Sequence, residues 1–233
     1  MLTIAIFIFN FIISNFMEGF KCMLVSWKNI ESWVYEIKKK MDSIDYMPDI
    51  IIGLSRGGLV PARILSDYLQ LKDLYAIKTE HWGITATPDG QAKITQGLPI
   101  NIKGKNVLII DDITDTGQSL KVAYEYIKSF DPLILKSATL LHITRSQFIP
   151  DFYAEEVLEK NWTWFIFPWN VYEDITTIIM KMLSQEDLTF EKIQDYFERY
   201  FYIKPKKSTI NLSIKMLMDK KMVRVEKGIY KKL

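Results

Sequence analysis

Residues 107–120 read VLIIDDITDTGQSL. Val107 to Ile110 run without a polar break, the pattern of a strand buried on both faces. Asp111 and Asp112 end that strand, a short Thr- and Gly-bearing loop follows, and an apolar-periodic helix starts near Gln118. Thr114, Thr116 and Ser119 supply hydroxyls. Gly117 lets the backbone come close to a ligand. The helix start adds unpaired N–H groups and the positive end of its dipole. Together these form an anion cradle suited to a phosphate monoester. The two acids would repel a bare phosphate, and they make sense facing sugar hydroxyls or a Mg²⁺ ion. An acidic strand end followed by a capped helix explains any one of these residues but not the whole string.

Working outward, the chain keeps alternating between strand and helix. DIIIGL (49–54) reads as a strand, SRGG (55–58) as a turn and LVPARILSDYLQ (59–70) as a helix. LYAIKT (74–79) reads as a strand, and residues 81–97 show breakers and no clear period. After the helix QSLKVAYEYIKSF (118–130) comes a further strand, LKSATLLHI (135–143). Upstream, Ile30, Trp33, Val34, Ile37 and Met41 share one face of a helix that Ser26 can cap. The expected fold class is therefore α/β, a mainly parallel sheet flanked by helices. Such sheets bind ligands at the carboxyl ends of their strands, where both polar turns emerge.

The string 107–119 resembles the PRPP-binding motif of type I phosphoribosyltransferases: four apolar residues, two acids, two variable positions, then a D/A/T-T-G stretch. The resemblance spans roughly residues 25–175 and implies that family's fold. It implies that Asp111 and Asp112 hold the ribose hydroxyls of PRPP and Mg²⁺, and that Asp115, Thr116, Gly117, Gln118 and Ser119 line the 5′-phosphate loop. An Asp at position 115 resembles the 6-oxopurine enzymes, where it stands near purine N7 as the catalytic general base. Guanine, hypoxanthine or xanthine must lose a proton as its nitrogen attacks C1′, which calls for such a base. The implied reaction joins PRPP and a 6-oxopurine to give a nucleoside monophosphate and pyrophosphate, with Mg²⁺, in purine salvage.

The same resemblance assigns Ser55, Arg56, Gly57 and Gly58 to a pyrophosphate loop, often with a cis or strained peptide. Arg56 would meet pyrophosphate with a planar fork of donors, and Lys78 would reach the same group. Residues 81–97, with Gly83, Pro88, Gly90 and Gly97, match a flexible loop that closes over PRPP and excludes water. NWTWFIFPWN (161–170) resembles the segment beside the base pocket of xanthine-guanine enzymes. There Trp164 would stack on the purine and the Phe165 backbone would read its edge, while Trp169 is structural. One position departs from the family: Ile143 stands where the 6-oxopurine enzymes carry a Lys that contacts the 6-oxo group. Arg145 or a backbone donor is a candidate substitute, or the base differs.

The chain has 233 residues, 48% apolar and 25% charged, which excludes a disordered chain and a polytopic membrane protein. Cys22 is the only cysteine, so neither an intramolecular disulfide nor a multi-Cys zinc site is expected, and a cytoplasmic location fits. Residues 2–16 are uncharged and mostly apolar, yet too short for a bilayer. They read as a tail that packs on the domain or a partner, or as a start preceding the true one at Met17 or Met23. No membrane partner is expected.

The net charge of +2 is unevenly spread. Residues 185–233 carry 12 Lys+Arg and 7 Asp+Glu, net +5, leaving 18 and 21, net −3, in residues 1–184. The expected organisation is an N-terminal segment 1–22, a phosphoribosyltransferase domain 23–184 and a basic C-terminal appendage 185–233. The appendage reads as two helices and a hairpin turning at Lys227-Gly228, in part like a winged helix. Its first reading is a packing or dimerisation module with solvated Lys-rich faces, and nucleic acid is the lesser reading. The family resemblance implies a homodimer. A second functional reading stays open: a PRPP-sensing transcription regulator on the same fold.

Overall fold

A computed structural model describes residues 19–82 and 91–233. Its elements in chain order begin with strand β1 (Cys22–Leu24), helix α1 (Trp27–Asp42), β2 (Ile50–Ser55) and α2 (Leu59–Tyr68). β3 (Leu74–Trp82), β4 (Gln91–Gln96), β5 (Asn106–Thr114) and α3 (Gln118–Lys128) come next. They are followed by β6 (Ile134–Ile143), β7 (Phe152–Val157), β8 (Trp164–Ile166) and α4 (Val171–Leu183). The chain ends with β9 (Leu188–Thr189), α5 (Phe190–Tyr200), α6 (Lys207–Asp219), β10 (Val223–Glu226) and β11 (Ile229–Lys232). These elements form two compact units, residues 27–162 and residues 19–26 with 163–233.

The first unit holds a six-stranded sheet in the order β4-β3-β2-β5-β6-β7. All neighbours are parallel except the β3–β4 pair. Alternation along the strands serves both faces. Ile50, Ile52, Leu54, Val107 and Ile109 join Leu120, Ala123 and Ile127 of α3 in one core. On the opposite face Gly53 leaves room for α2, since a Cβ there would lie 3.1 Å from the Ala62 Cβ. Each fully buried Ile contributes at most about 1.5–3 kcal/mol, which is why the uninterrupted apolar runs at 50–54 and 107–110 become the central strands.

The sequence pattern predicts a strand ending at Thr79 and then a loop, but β3 continues to Trp82 and β4 pairs with it antiparallel. Pairing with a neighbour, which periodicity does not register, makes strands of these polar residues. Leu98 is then tied down by its N–H, which donates to the Tyr126 hydroxyl at 3.1 Å. Gly83, Pro88 and Gly90 of the expected closing loop lie outside the described residues, as does the apolar segment 2–16.

In the second unit β1 and β8 pair in parallel, and β9 joins the hairpin in the sheet order β10-β11-β9. One core gathers Ile175, Ile179 and Met182 of α4, Ile193 and Phe197 of α5, and Ile210, Ile214 and Leu217 of α6. Packing therefore divides the chain between 162 and 163 rather than near 184, because the apolar face of α4 is buried against α5 and α6. Cys22 is free and buried in this core, and burial with the nearby Asp174 charge pushes its thiol up to about 12. Among the described residues no helix is long and apolar enough to cross a membrane.

Candidate active site

The strand order reverses between β2 and β5: β2 connects outward to β3 on one side, and β5 to β6 on the other. The carboxyl ends of β2 and β5 therefore flank a switch point, where helices leave a crevice. The SRGG turn follows β2 and the DTG turn follows β5, so residues some 55 positions apart meet there.

That meeting is close. A Cβ at Gly58 would fall 2.2 Å from the Ile110 carbonyl oxygen and 2.9 Å from the Asp111 Cα, so the turn lies directly on the β5 backbone. A Cβ at Gly57 would fall 2.0 Å from Asp112 Oδ2, which places the Asp112 carboxylate against the turn. The Ser55–Arg56 peptide is cis. Ser55 pairs in register with Lys78 of β3, and the β3–β4 register shifts between Lys78 and Thr79. Lys78 forms an ion pair with Glu80.

Asp111 accepts the Asp112 backbone N–H at 3.0 Å. Burial and the neighbouring Asp112 charge push its carboxyl well above the ordinary carboxylate range, partly offset by the backbone amides of Asp112 and Gly58. Such a pair gains from an arriving cation or from hydroxyl donors. Among the described residues no cluster of three His, Cys, Asp or Glu is placed to hold a metal ion. Two adjacent carboxylates fit Mg²⁺, which is commonly bound by one or two carboxylates together with substrate phosphates.

The loop after β5 is shaped by Gly117, which sits at φ +80° as the N-cap of α3. Without a side chain there, the first-turn amides of α3 face the loop, with the dipole behind them. A Cβ at Gly117 would also meet Ser146 Oγ at 2.4 Å and Phe148 N at 2.8 Å. The loop after β6 therefore presses on the β5 loop, and the Gln147 N–H donates to the Thr116 carbonyl at 3.1 Å.

Arg145, which the sequence offers only as a substitute for the missing Lys, lies on this second loop and meets Asp115. Arg145 Nε donates to Asp115 Oδ1, and Nη2 donates to Oδ2, each at 2.7 Å. The guanidinium also lies 5.3 Å from the Trp162 ring centroid. Ile143, at the position of the missing Lys, is fully buried. Behind the loop, the buried Thr114 hydroxyl and His142 Nδ1 are 3.0 Å apart. The signal for Arg145 was available: 144–148 leave a strand at the same sheet edge as both other turns.

Trp164 and Phe165 lie on β8 in the other unit. There Trp164 is exposed, and its Nε1–H donates to Asp174 Oδ1 at 3.1 Å. Burial raises the Asp174 carboxyl to about 6, the hydrogen bond from Trp164 opposing that rise. Trp169 stacks on Phe167, with centroids 4.9 Å apart and planes 7° apart.

Residues 25–176 match the phosphoribosyl transferase domain family. The chain is 28% identical over 160 residues to the hypoxanthine-guanine phosphoribosyltransferase of Aquifex aeolicus, covering 64% of this chain and 88% of that one. It is 25% identical over 150 residues to the xanthine-guanine phosphoribosyltransferase of Idiomarina loihiensis, covering 64% and 86%. The solved purine phosphoribosyltransferase of Pyrococcus horikoshii superposes with a TM-score of 0.55 at 29% identity, covering 63% of this chain and 93% of that one.

Proposed function

The chain belongs to the phosphoribosyl transferase domain family and is a phosphoribosyltransferase, and on that premise we propose that it transfers the phosphoribosyl group of PRPP to a 6-oxopurine in purine salvage. The observation that carries this reading is the switch-point contact, in which Gly57 and Gly58 lie against Asp111 and Asp112. It supports a single crevice for both ends of PRPP. The names of the similar proteins favour the enzyme over the regulator.

In this reading the first turn of α3, with Thr116, Gly117, Gln118 and Ser119, takes the 5′-phosphate. Asp111 and Asp112 take the ribose hydroxyls. Ser55, Arg56, Gly57, Gly58 and Lys78 take pyrophosphate. Mg²⁺, held by PRPP oxygens with Asp111 and Asp112, would neutralise charge on the departing pyrophosphate. A purine ring nitrogen attacks C1′, and the C1′–O bond breaks with its electrons going to pyrophosphate. The positive charge that develops on the ribose faces Asp111 and Asp112. The purine N7 proton passes to the Asp115 carboxylate, which Arg145 holds in position. Trp164 and Phe165 take the base. The assembly is a cytoplasmic homodimer.

Turnover with guanine, hypoxanthine, xanthine, adenine and orotate, each with PRPP and Mg²⁺, tests the reading. Turnover of the oxopurines alone, abolished by a chelator and restored by Mg²⁺, is expected. Turnover of adenine or orotate instead would overturn the base assignment.

A further inference from the structure

We propose that the C-terminal part of the chain binds duplex DNA, laying α6 in the major groove and the β10–β11 hairpin along the flanking backbone. The order α4, β9, α5, α6, β10, β11, with β9 on the outer edge of β11, is that of a winged helix–turn–helix. In such a motif the last helix before the hairpin is the one that reads the groove. The unit is complete only because α4 supplies its first helix.

The surface chemistry agrees with the topology. Ile210, Ser213, Ile214 and Leu217 face the core, which leaves Lys207, Ser208, Asn211 and Lys215 exposed on α6, together with Leu212, Met218 and Asp219. Hydroxyl, amide and ammonium groups at this spacing suit base edges and phosphates. A 13-residue helix is about 20 Å long and ~10–12 Å across, which fits the ~12 Å major groove.

Charge is segregated within the unit. Residues 204–233 hold 10 Lys+Arg and 2 Asp+Glu, net +8. The other acids of the segment, Glu186, Asp187, Glu191, Asp195 and Glu198, precede it, on and before α5. Arg224 and Lys231 are partly neutralised by Glu226 and Asp187. Among the described residues, Lys207, Lys215, Lys220 and Lys227 have no ion-pair partner. A groove of phosphates complements this face better than an acidic protein patch does, since polar readers are interleaved with the cations on one helix side.

The test uses the full chain and a fluorescent mixed-sequence DNA duplex, read by anisotropy across a salt series. Binding should weaken about 10³-fold or more between 50 and 200 mM salt, as for six or more phosphate contacts. Lys207→Glu/Lys215→Glu should weaken it at least about tenfold and lower the salt slope by about two. Lys227→Glu in the hairpin should act the same way. Lys72→Glu/Lys105→Glu, the same charge change in the other unit, should leave binding intact. Phosphoribosyl transfer should be unchanged in every variant, which also shows that they fold. No duplex binding at low salt, tighter binding of a single strand, competition by PRPP, or equal loss in the Lys72/Lys105 variant would each overturn the proposal.

Discussion

The Arg145 guanidinium lies as a fork across the Asp115 carboxylate, Nε to Oδ1 and Nη2 to Oδ2 at 2.7 Å each. Two parallel donors fix the carboxylate plane as well as its position, which one Lys could not do. The residue that would take the purine proton is thus oriented by the loop that follows β6. Asp115→Asn should lower kcat by about 10²–10⁴-fold with PRPP affinity largely kept. Unchanged turnover would remove Asp115 as the base.

Arg145→Ala should lower kcat by about ten- to a hundredfold, the scale of one or two lost charge-assisted hydrogen bonds. Arg145→Lys should rescue little of it, because a point charge does not hold a plane. Steady-state kinetics on both variants decide the matter: full activity in the Lys variant would mean that only charge is needed.

Gly57 and Gly58 should respond differently to Ala. At Gly58 the added carbon meets backbone atoms of Ile110, Leu54 and Asp111. That contact has no easy relief, so Gly58→Ala should cost about 1–3 kcal/mol in denaturant unfolding. At Gly57 it meets the carboxyl end of the Asp112 side chain rather than backbone, so relief needs a side-chain shift only. Gly57→Ala should therefore leave stability nearly unchanged and raise the PRPP KM. Equal stability losses would show that the Asp112 carboxylate is held as firmly as the backbone around Gly58.

Trp164→Ala should raise the KM for the base far more than that for PRPP. Trp164→Phe keeps a ring while losing the donor to Asp174, and should retain most base affinity if stacking is what matters. Equal effects on both substrates in the Ala variant would make Trp164 structural.

Half-buried Asp174 and buried His142 give stability opposite pH slopes. Asp174 holds its proton to about pH 6 in the folded chain, above its ordinary value. The folded state then binds more protons than the unfolded state between about pH 4 and 6, and stability falls as pH rises through that window. Asp174→Asn should remove that loss, so it should be more stable than the parent at pH 8 and equal to it near pH 4. His142 is shifted down by burial, the Glu156 charge opposing this. Its contribution is present above the ordinary histidine value and is lost as pH falls through it. Urea midpoints across pH for Asp174→Asn and His142→Gln would separate the two.

Much of the first unit was legible because its signals are local. The runs at 50–54 and 107–110 are short, rich in β-branched residues and bounded by turn residues, which marks buried strands, and Gly117 in a Thr-Gly turn announced the helix start at Gln118. β4 was missed because its residues alternate weakly and depend on pairing with β3. β7 and α4 were also unread. The face of α4 finds its partners only in α5 and α6, and so the packing boundary moved from near 184 to 162/163.

By itself the sequence determined the α/β class, the two polar turns at the carboxyl edge of the sheet, and the residue types that can meet phosphate, ribose and a purine proton. These follow from neighbouring residues and from patterns that repeat along one strand or helix. Only the tertiary structure decided that Gly57 lies on Asp112, that Arg145 forks onto Asp115, and that α4 completes the basic C-terminal unit. Each of these joins residues far apart in the chain, and strand order, crossover direction and the burial of an apolar face are global properties that no local window contains.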